Sequence, residues 1–120
     1  MTGVITQLEA ATHRVVDHLS AELRELGLTP GEVNALAHLR ADVPLSVAEL
    51  QALTGQRPST LTGVLDRLER RGLIERAANP SDRRSVLVSL TPEGGAHTKR
   101  IARAYEDLEP ELRRLLKDVA

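Results

Sequence analysis

The chain has 120 residues, a formal net charge of −1, no cysteine and one aromatic residue, Tyr105. Lack of cysteine excludes disulfides, thiolate zinc sites and thiol redox sensing, and no apolar run approaches the ~20 residues of a membrane-spanning helix. Hydrophobic residues make up 41% of the chain, enough for a folded core, and abundant Leu, Ala, Glu and Arg favour helix.

From Thr2 to Leu26 the apolar residues Val4, Ile5, Leu8, Ala11, Val15, Val16, Leu19, Leu23 and Leu26 predict a long amphipathic helix, stopped by Gly27. Thr29-Pro30-Gly31-Glu32 reads as a capping box with proline at the first helical position. It opens a second helix carrying Val33, Leu36, Ala37 and Leu39, which ends before Pro44. Ser46-Val47-Ala48-Glu49 repeats that pattern and opens a third helix through Leu53, closed by Gly55. Pro58 and Ser59 restart the chain into a fourth helix, with Leu61, Val64, Leu65 and Leu68 at helical spacing and Arg70-Arg71-Gly72 at its end. Two helices joined by a short turn around a glycine make a helix-turn-helix.

Leu73–Arg76 then reads as a short strand and Ser85–Leu90, β-branched and alternating, as its partner. Between them Ala77–Arg84 is predicted to be a polar loop containing Asn79, Pro80, Ser81 and Asp82. A hairpin directly after the second helix of a helix-turn-helix is the layout of a wing. Thr91-Pro92-Glu93 caps a fifth helix through Ile101 and Ala104 toward Tyr105. After Pro110 a separate amphipathic segment carries Leu112, Leu115, Leu116 and Val119.

Charge is unevenly divided along this order. Residues 1–56 hold three Arg and seven acids, and residues 57–84 hold seven Arg and four acids. In residues 85–120 six bases balance six acids. The basic surplus lies on the fourth helix and the hairpin, where a nucleic-acid footprint would be placed. A helix fits the major groove of DNA, its N-terminal residues reaching base edges while backbone amides face phosphate. Arg57, Ser59, Thr60, Thr62 and Gly63 form the leading side of such a helix. Arg57 suits guanine and the threonine methyls a thymine methyl; the competing reading is an ordinary surface helix. Arg67 reaches a phosphate or pairs with a neighbouring acid. Arg70 and Arg71 stand where cations stabilise a helix C-terminus.

At the hairpin tip Asp82-Arg83-Arg84 offers guanidinium groups to the negative potential of a minor groove. Asp82, repelled by DNA, is expected to orient an arginine by ion pairing; a solvated polar turn is the alternative. His13, His18, His38 and His97 show no metal-ligand spacing. No phosphate loop or activated nucleophile is evident, so neither metal, cofactor nor catalysis is expected.

Leu45-Ser46-Val47-Ala48-Glu49-Leu50, Ser59-Thr60-Leu61-Thr62 and Leu68-Glu69-Arg70-Arg71-Gly72-Leu73-Ile74-Glu75-Arg76 together resemble the multiple-antibiotic-resistance regulator (MarR) family. So does the run from Asn79-Pro80-Ser81-Asp82-Arg83-Arg84 through Leu90-Thr91-Pro92-Glu93-Gly94. The resemblance implies a homodimeric repressor on pseudo-palindromic double-stranded DNA, with terminal helices as the dimer interface. It also makes Arg84 the minor-groove arginine, Asp82 its orienting acid, and Ser59, Thr60 and Thr62 leading residues of the recognition helix. A small-molecule effector is compatible with it, although no residue pattern points to one. The interval between Thr91 and the last Leu-rich segment is shorter than the family pattern, which predicts a short fifth helix.

The resulting expectation is a mainly α chain with a small β-hairpin wing, one domain over 1–120. Residues 29–91 form the winged helix-turn-helix, with recognition helix 57–71 and wing 77–85. Residues 1–28 and 92–120 supply dimerisation helices. A cytoplasmic transcription regulator is expected; a winged-helix protein-interaction adaptor is the alternative.

Overall fold

The computed structural model describes residues 3–117. The elements are α1 (Val4–Glu22), a 3-10 turn (Arg24–Leu26), α2 (Pro30–His38), β1 (Leu45–Ser46), α3 (Val47–Thr54), α4 (Pro58–Arg70), β2 (Ile74–Asn79), β3 (Asp82–Leu90) and α5 (Pro92–Leu115). They divide into two compact units. Gly31–Lys99 forms one, and the chain up to Pro30 together with the chain from Arg100 on forms the other.

In the second of these units α1 ends at Glu22 rather than at Leu26. The 3-10 turn tightens the backbone, with Leu26 N–H donating to the Leu23 carbonyl at 3.0 Å. Side chains three apart eclipse in such a turn, so Leu23 and Leu26 share one buried face. Gly27 then leaves in the left-handed conformation. The expected start at Thr2 and the contribution of Val119 lie outside the described residues.

α5 corrects the expectation of a short helix followed by a separate segment, since it runs unbroken for 24 residues through Pro110. Proline removes one intrahelical hydrogen bond and crowds the carbonyl four residues back. Buried Leu108 and half-buried Leu112, four residues apart on one face, carry the packing across that defect. Ala11 and Leu19 of α1 and Ile101, Ala104 and Leu108 of α5 are buried. His18 Nε2–H donates to the Ala104 carbonyl at 3.0 Å, and Arg14–Glu111 and Arg100–Glu25 form ion pairs. By contrast Val4, Ile5 and Leu8 are 53%, 73% and 43% exposed, so the N-terminal half of α1 has an uncovered apolar face.

The Gly31–Lys99 unit packs Val33, Leu36 and Leu39, with Leu50 of α3, Leu61, Val64, Leu65 and Leu68 of α4, and Leu73, Ile74, Val88 and Leu90 of the sheet region. On α2 it is Ala35 that is buried, while Ala37 faces solvent. Asn34 Nδ2 donates to the Thr54 carbonyl at 3.0 Å, and Gln56 Nε2 to that of Gly31 at 2.9 Å, tying α2 to the helix-turn-helix. The hairpin is part of a three-stranded antiparallel sheet of order β1-β3-β2. Its third strand, β1, pairs Leu45 with Val88 and Ser46 with Leu87. Ser46 also performs the predicted cap: its hydroxyl accepts from Glu49 N–H while the Glu49 carboxylate accepts from Ser46 N–H, each at 3.0 Å. That pair holds the Glu49 carboxyl below its usual pKa, chiefly through the Ser46 backbone N–H.

Candidate nucleic-acid interface

α3 ends at Gly55, whose φ of 71° a side chain would strain, and the chain turns through Gln56 and Arg57 into α4. Arg57 is the N-cap of α4 and Pro58 its first helical residue. Arginine has no acceptor for the free N–H groups of the first turn, and no side-chain cap is formed. The backbone donors at Ser59 and Thr60 thus head a helix whose positive dipole end is uncapped.

α4 is sharply two-sided. Leu61, Val64, Leu65 and Leu68 are at most 1% exposed, whereas Arg57, Ser59, Thr60, Thr62 and Arg67 all lie on the solvent side. The Thr62 hydroxyl donates to the Pro58 carbonyl at 2.9 Å, which spends its proton on the helix. Gly63 sits beneath the Arg67 side chain: a methyl built on it would lie 3.3 Å from Arg67 Nη1. Among the described residues Arg67 and Arg70 make no ion pair, so Arg67 does not take the neighbouring acid.

The acids of α4 are engaged elsewhere. Arg76, on β2, donates from Nη2 to Asp66 Oδ1 and to Glu69 Oε1, both at 2.8 Å. The bond to Arg76 holds the Glu69 carboxyl below its usual pKa, and in return Glu69 and then Asp66 raise that of Arg76. Sequence reasoning missed this residue. Its signal was two acids three apart on a helix, followed by an arginine on the strand leaving that helix.

The hairpin is strand almost to its tip, which corrects the polar loop expected over Ala77–Arg84. Asn79, Pro80, Ser81 and Asp82 make the turn, with Asn79 opposite Asp82. Asn79 Oδ1 accepts from Ser81 N–H at 2.9 Å, a side-chain turn that asparagine favours. Below the turn the register slips: Ala78 faces Val86, yet Asn79 faces Asp82. Arg83, Arg84 and Ser85 therefore stand between two paired positions with no counterpart on β2. Bulges of this kind re-aim side chains, and both arginines are exposed. Asp82 acts on this bulge through the main chain. Its Oδ1 accepts from Arg84 N–H at 3.0 Å, and no Asp82–Arg ion pair forms among the described residues. The orienting role expected of Asp82 is thus a backbone one.

A joint between α4, the sheet and α5 helps to anchor the root of the wing. Gly72 and Leu73 close α4 with N–H bonds to the Glu69 and Leu68 carbonyls, the paired pattern of a left-handed glycine cap. Thr91 N–H donates to the Leu73 carbonyl at 3.1 Å and its hydroxyl to Gly72 O at 2.6 Å. That hydroxyl also accepts from Gly94 N–H at 3.1 Å. There α5 comes so close that a methyl on Gly94 would lie 2.0 Å from Leu73 O.

A family model described as the MarR family matches residues 28–86, a span containing α3, α4, β2 and the tip of the wing. A solved structure of a probable transcriptional regulator from Pseudomonas aeruginosa is 34% identical, with a TM-score of 0.73, over 94% of this chain and 82% of that one. The chain belongs to the MarR family. It is 33% identical over 94 residues to the transcriptional repressor MdtR of Bacillus subtilis, covering 78% of this chain and 61% of that relative. The chain therefore spans about three fifths of MdtR. BpsR of Bordetella bronchiseptica, whose DNA binding is regulated by 6-hydroxynicotinic acid, is 29% identical with a TM-score of 0.75 over 88% of this chain and 80% of that one. The winged-helix fold read from the hairpin is the MarR fold, and MdtR and the Pseudomonas aeruginosa protein are named as a transcriptional repressor and a probable transcriptional regulator, not as enzymes.

Proposed function

We propose that this MarR-family chain is a homodimeric repressor that occupies a pseudo-palindromic operator, with α4 in the major groove and the β2–β3 wing in the minor groove. The observation that carries the reading is the solvent face of α4. It presents Arg57, Ser59, Thr60, Thr62 and Arg67 while both of the helix's acids are held by Arg76. Hydroxyls, guanidinium groups and an uncapped helix N-terminus form the chemistry that reads base edges and binds phosphate. Arg83 and Arg84, on the unpaired bulge, suit the narrow minor groove. The exposed Val4, Ile5 and Leu8 of α1 support association through the terminal helices.

Selection of bound duplexes from a random pool tests this reading. Enrichment of an inverted repeat supports a two-fold dimer reading sequence, whereas an isolated half-site rules out the dimer. Affinity for the selected duplex should fall steeply with salt. No enrichment together with a flat salt response replaces DNA binding by the protein-adaptor reading. Arg84→Ala should weaken operator binding about tenfold, most at sites with a narrow minor groove. Unchanged affinity and preference in that variant remove the wing from the interface.

A further inference from the structure

A helix that lies against DNA is poorly served by carboxylates, and α4 carries Asp66 and Glu69 within one turn of each other. Like charges three residues apart repel, and both would repel phosphate. The same helix holds Arg67 and Arg70. Asp66 and Arg70, four apart with the acid nearer the N-terminus, have the spacing that favours an ion pair along a helix. That pair does not form. The acids instead converge on Arg76, whose one nitrogen is 2.8 Å from an oxygen of each. With a side chain only 26% exposed, Arg76 is the least exposed member of the trio.

Resting on the DNA-binding reading above, we infer that Arg76 is a positioning residue that holds the wing to the recognition helix and masks that helix's acids. It does so without itself touching DNA. The contact has two effects. Through β2 it fixes where the Arg83–Ser85 bulge stands relative to the first turn of α4, because β2 leaves α4 through the Gly72–Leu73 joint and is held again at Arg76. It also sets its charge against both carboxylates, which weakens their repulsion of phosphate without adding a phosphate contact. A guanidinium spent on two carboxylates has no capacity to neutralise a phosphate as well, so Arg76 is excluded from the phosphate count.

Three proteins test this: the wild type, Arg76→Gln, and the double variant Asp66→Asn with Glu69→Gln. Each is titrated against the selected operator and a scrambled duplex over a salt series, with circular dichroism verifying the fold. For Arg76→Gln, operator affinity should fall about tenfold, as for loss of a coupled ion-pair network, and operator-over-scrambled discrimination should fall with it. The slope of log affinity against log salt should remain that of the wild type. The double variant should bind scrambled DNA more tightly, having lost two negative charges, yet discriminate less well. A slope reduced by about one in Arg76→Gln marks a direct phosphate contact and overturns the inference. Unchanged discrimination in both folded variants also overturns it, leaving a surface ion pair of no functional weight. If the wild type itself selects no duplex, the DNA-binding reading fails, and the inference fails with it.

Discussion

Two adjacent glycines in the first turns of α5 should respond oppositely to the same substitution. A methyl on Gly94 would lie 2.0 Å from Leu73 O and 3.0 Å from Leu73 C, against 3.4 Å for ordinary contact. Because the obstruction is backbone, no rotamer change relieves it, and helix and strand must part by about 1.4 Å. That movement breaks the Thr91 N–H bond to Leu73 and the Thr91 hydroxyl bond to Gly72. Each bond contributes about 1 kcal/mol, and the residual overpacking costs about 2 kcal/mol. Replacing glycine by alanine in a helix returns about 1 kcal/mol. The net loss is about 3 kcal/mol, a drop in Tm of roughly 10 °C for a chain of this size. A methyl on Gly95 would meet nothing within 4 Å, so Gly95→Ala should gain the helical preference alone and melt a few degrees higher. Thermal unfolding by circular dichroism at one fixed protein concentration reads both variants against the wild type. Shifts of the same sign, or Gly94→Ala melting at the wild-type temperature, would refute the close-approach reasoning.

Gly63→Ala should separate stability from binding. The only atom its methyl meets is the mobile end of Arg67, at 3.3 Å, so stability should rise by about 1 kcal/mol while operator affinity falls as α4 is held off the groove. A variant that gains stability and binds fully would take Gly63 out of the interface. Ser46→Ala should cost about 1 kcal/mol by removing the cap of α3, read from urea unfolding at neutral pH. The cap also predicts a pH dependence with a definite sign. Glu49 has a folded-state pKa below the usual 4.5, so its stabilising contribution is complete above that value and is lost as pH falls through the lowered one. The gap between wild type and Glu49→Gln should therefore narrow in acid, and a gap that is constant from pH 7 to pH 3 would contradict the capping box.

The helices of the Gly31–Lys99 unit were legible because their ends carry chemistry visible in sequence: Pro30, Ser46 with Glu49, Gly55, Pro58 and Gly72. The two-residue strand β1 was not, since Leu45-Ser46 is too short for any periodicity and Ser46 already had a role as a cap. The outer wing was misread for a related reason. Ala77, Ala78 and Asn79 have low intrinsic strand preference, and they are extended because β3 offers paired positions opposite them. At Pro110 local preference lost to packing, and the helix continued. The solvent side of α4 followed from the spacing of its leucines, which assigned Arg57, Ser59, Thr60 and Thr62 by exclusion. The Arg76 contact is tertiary: Asp66, Glu69 and an arginine on the next strand are visible in the sequence, but their convergence depends on how β2 packs on α4. The partner of Asp82 was equally hidden, because it is the Arg84 backbone rather than a guanidinium, and composition does not reveal main-chain contacts.

The slipped register in the wing has an evolutionary corollary. Below it, five consecutive pairings from Ile74–Leu90 to Ala78–Val86 determine which residues of β3 face the core, and a one-residue shift there would turn Val88 and Leu90 outward. Arg83, Arg84 and Ser85 lie above the last of those pairings and answer to no partner. A residue inserted or deleted among them changes the reach and aim of the arm without propagating into the buried ladder. The stretch is thus insulated from the fold, and related chains are free to vary the length and cationic content of the arm there while the core beneath remains constant.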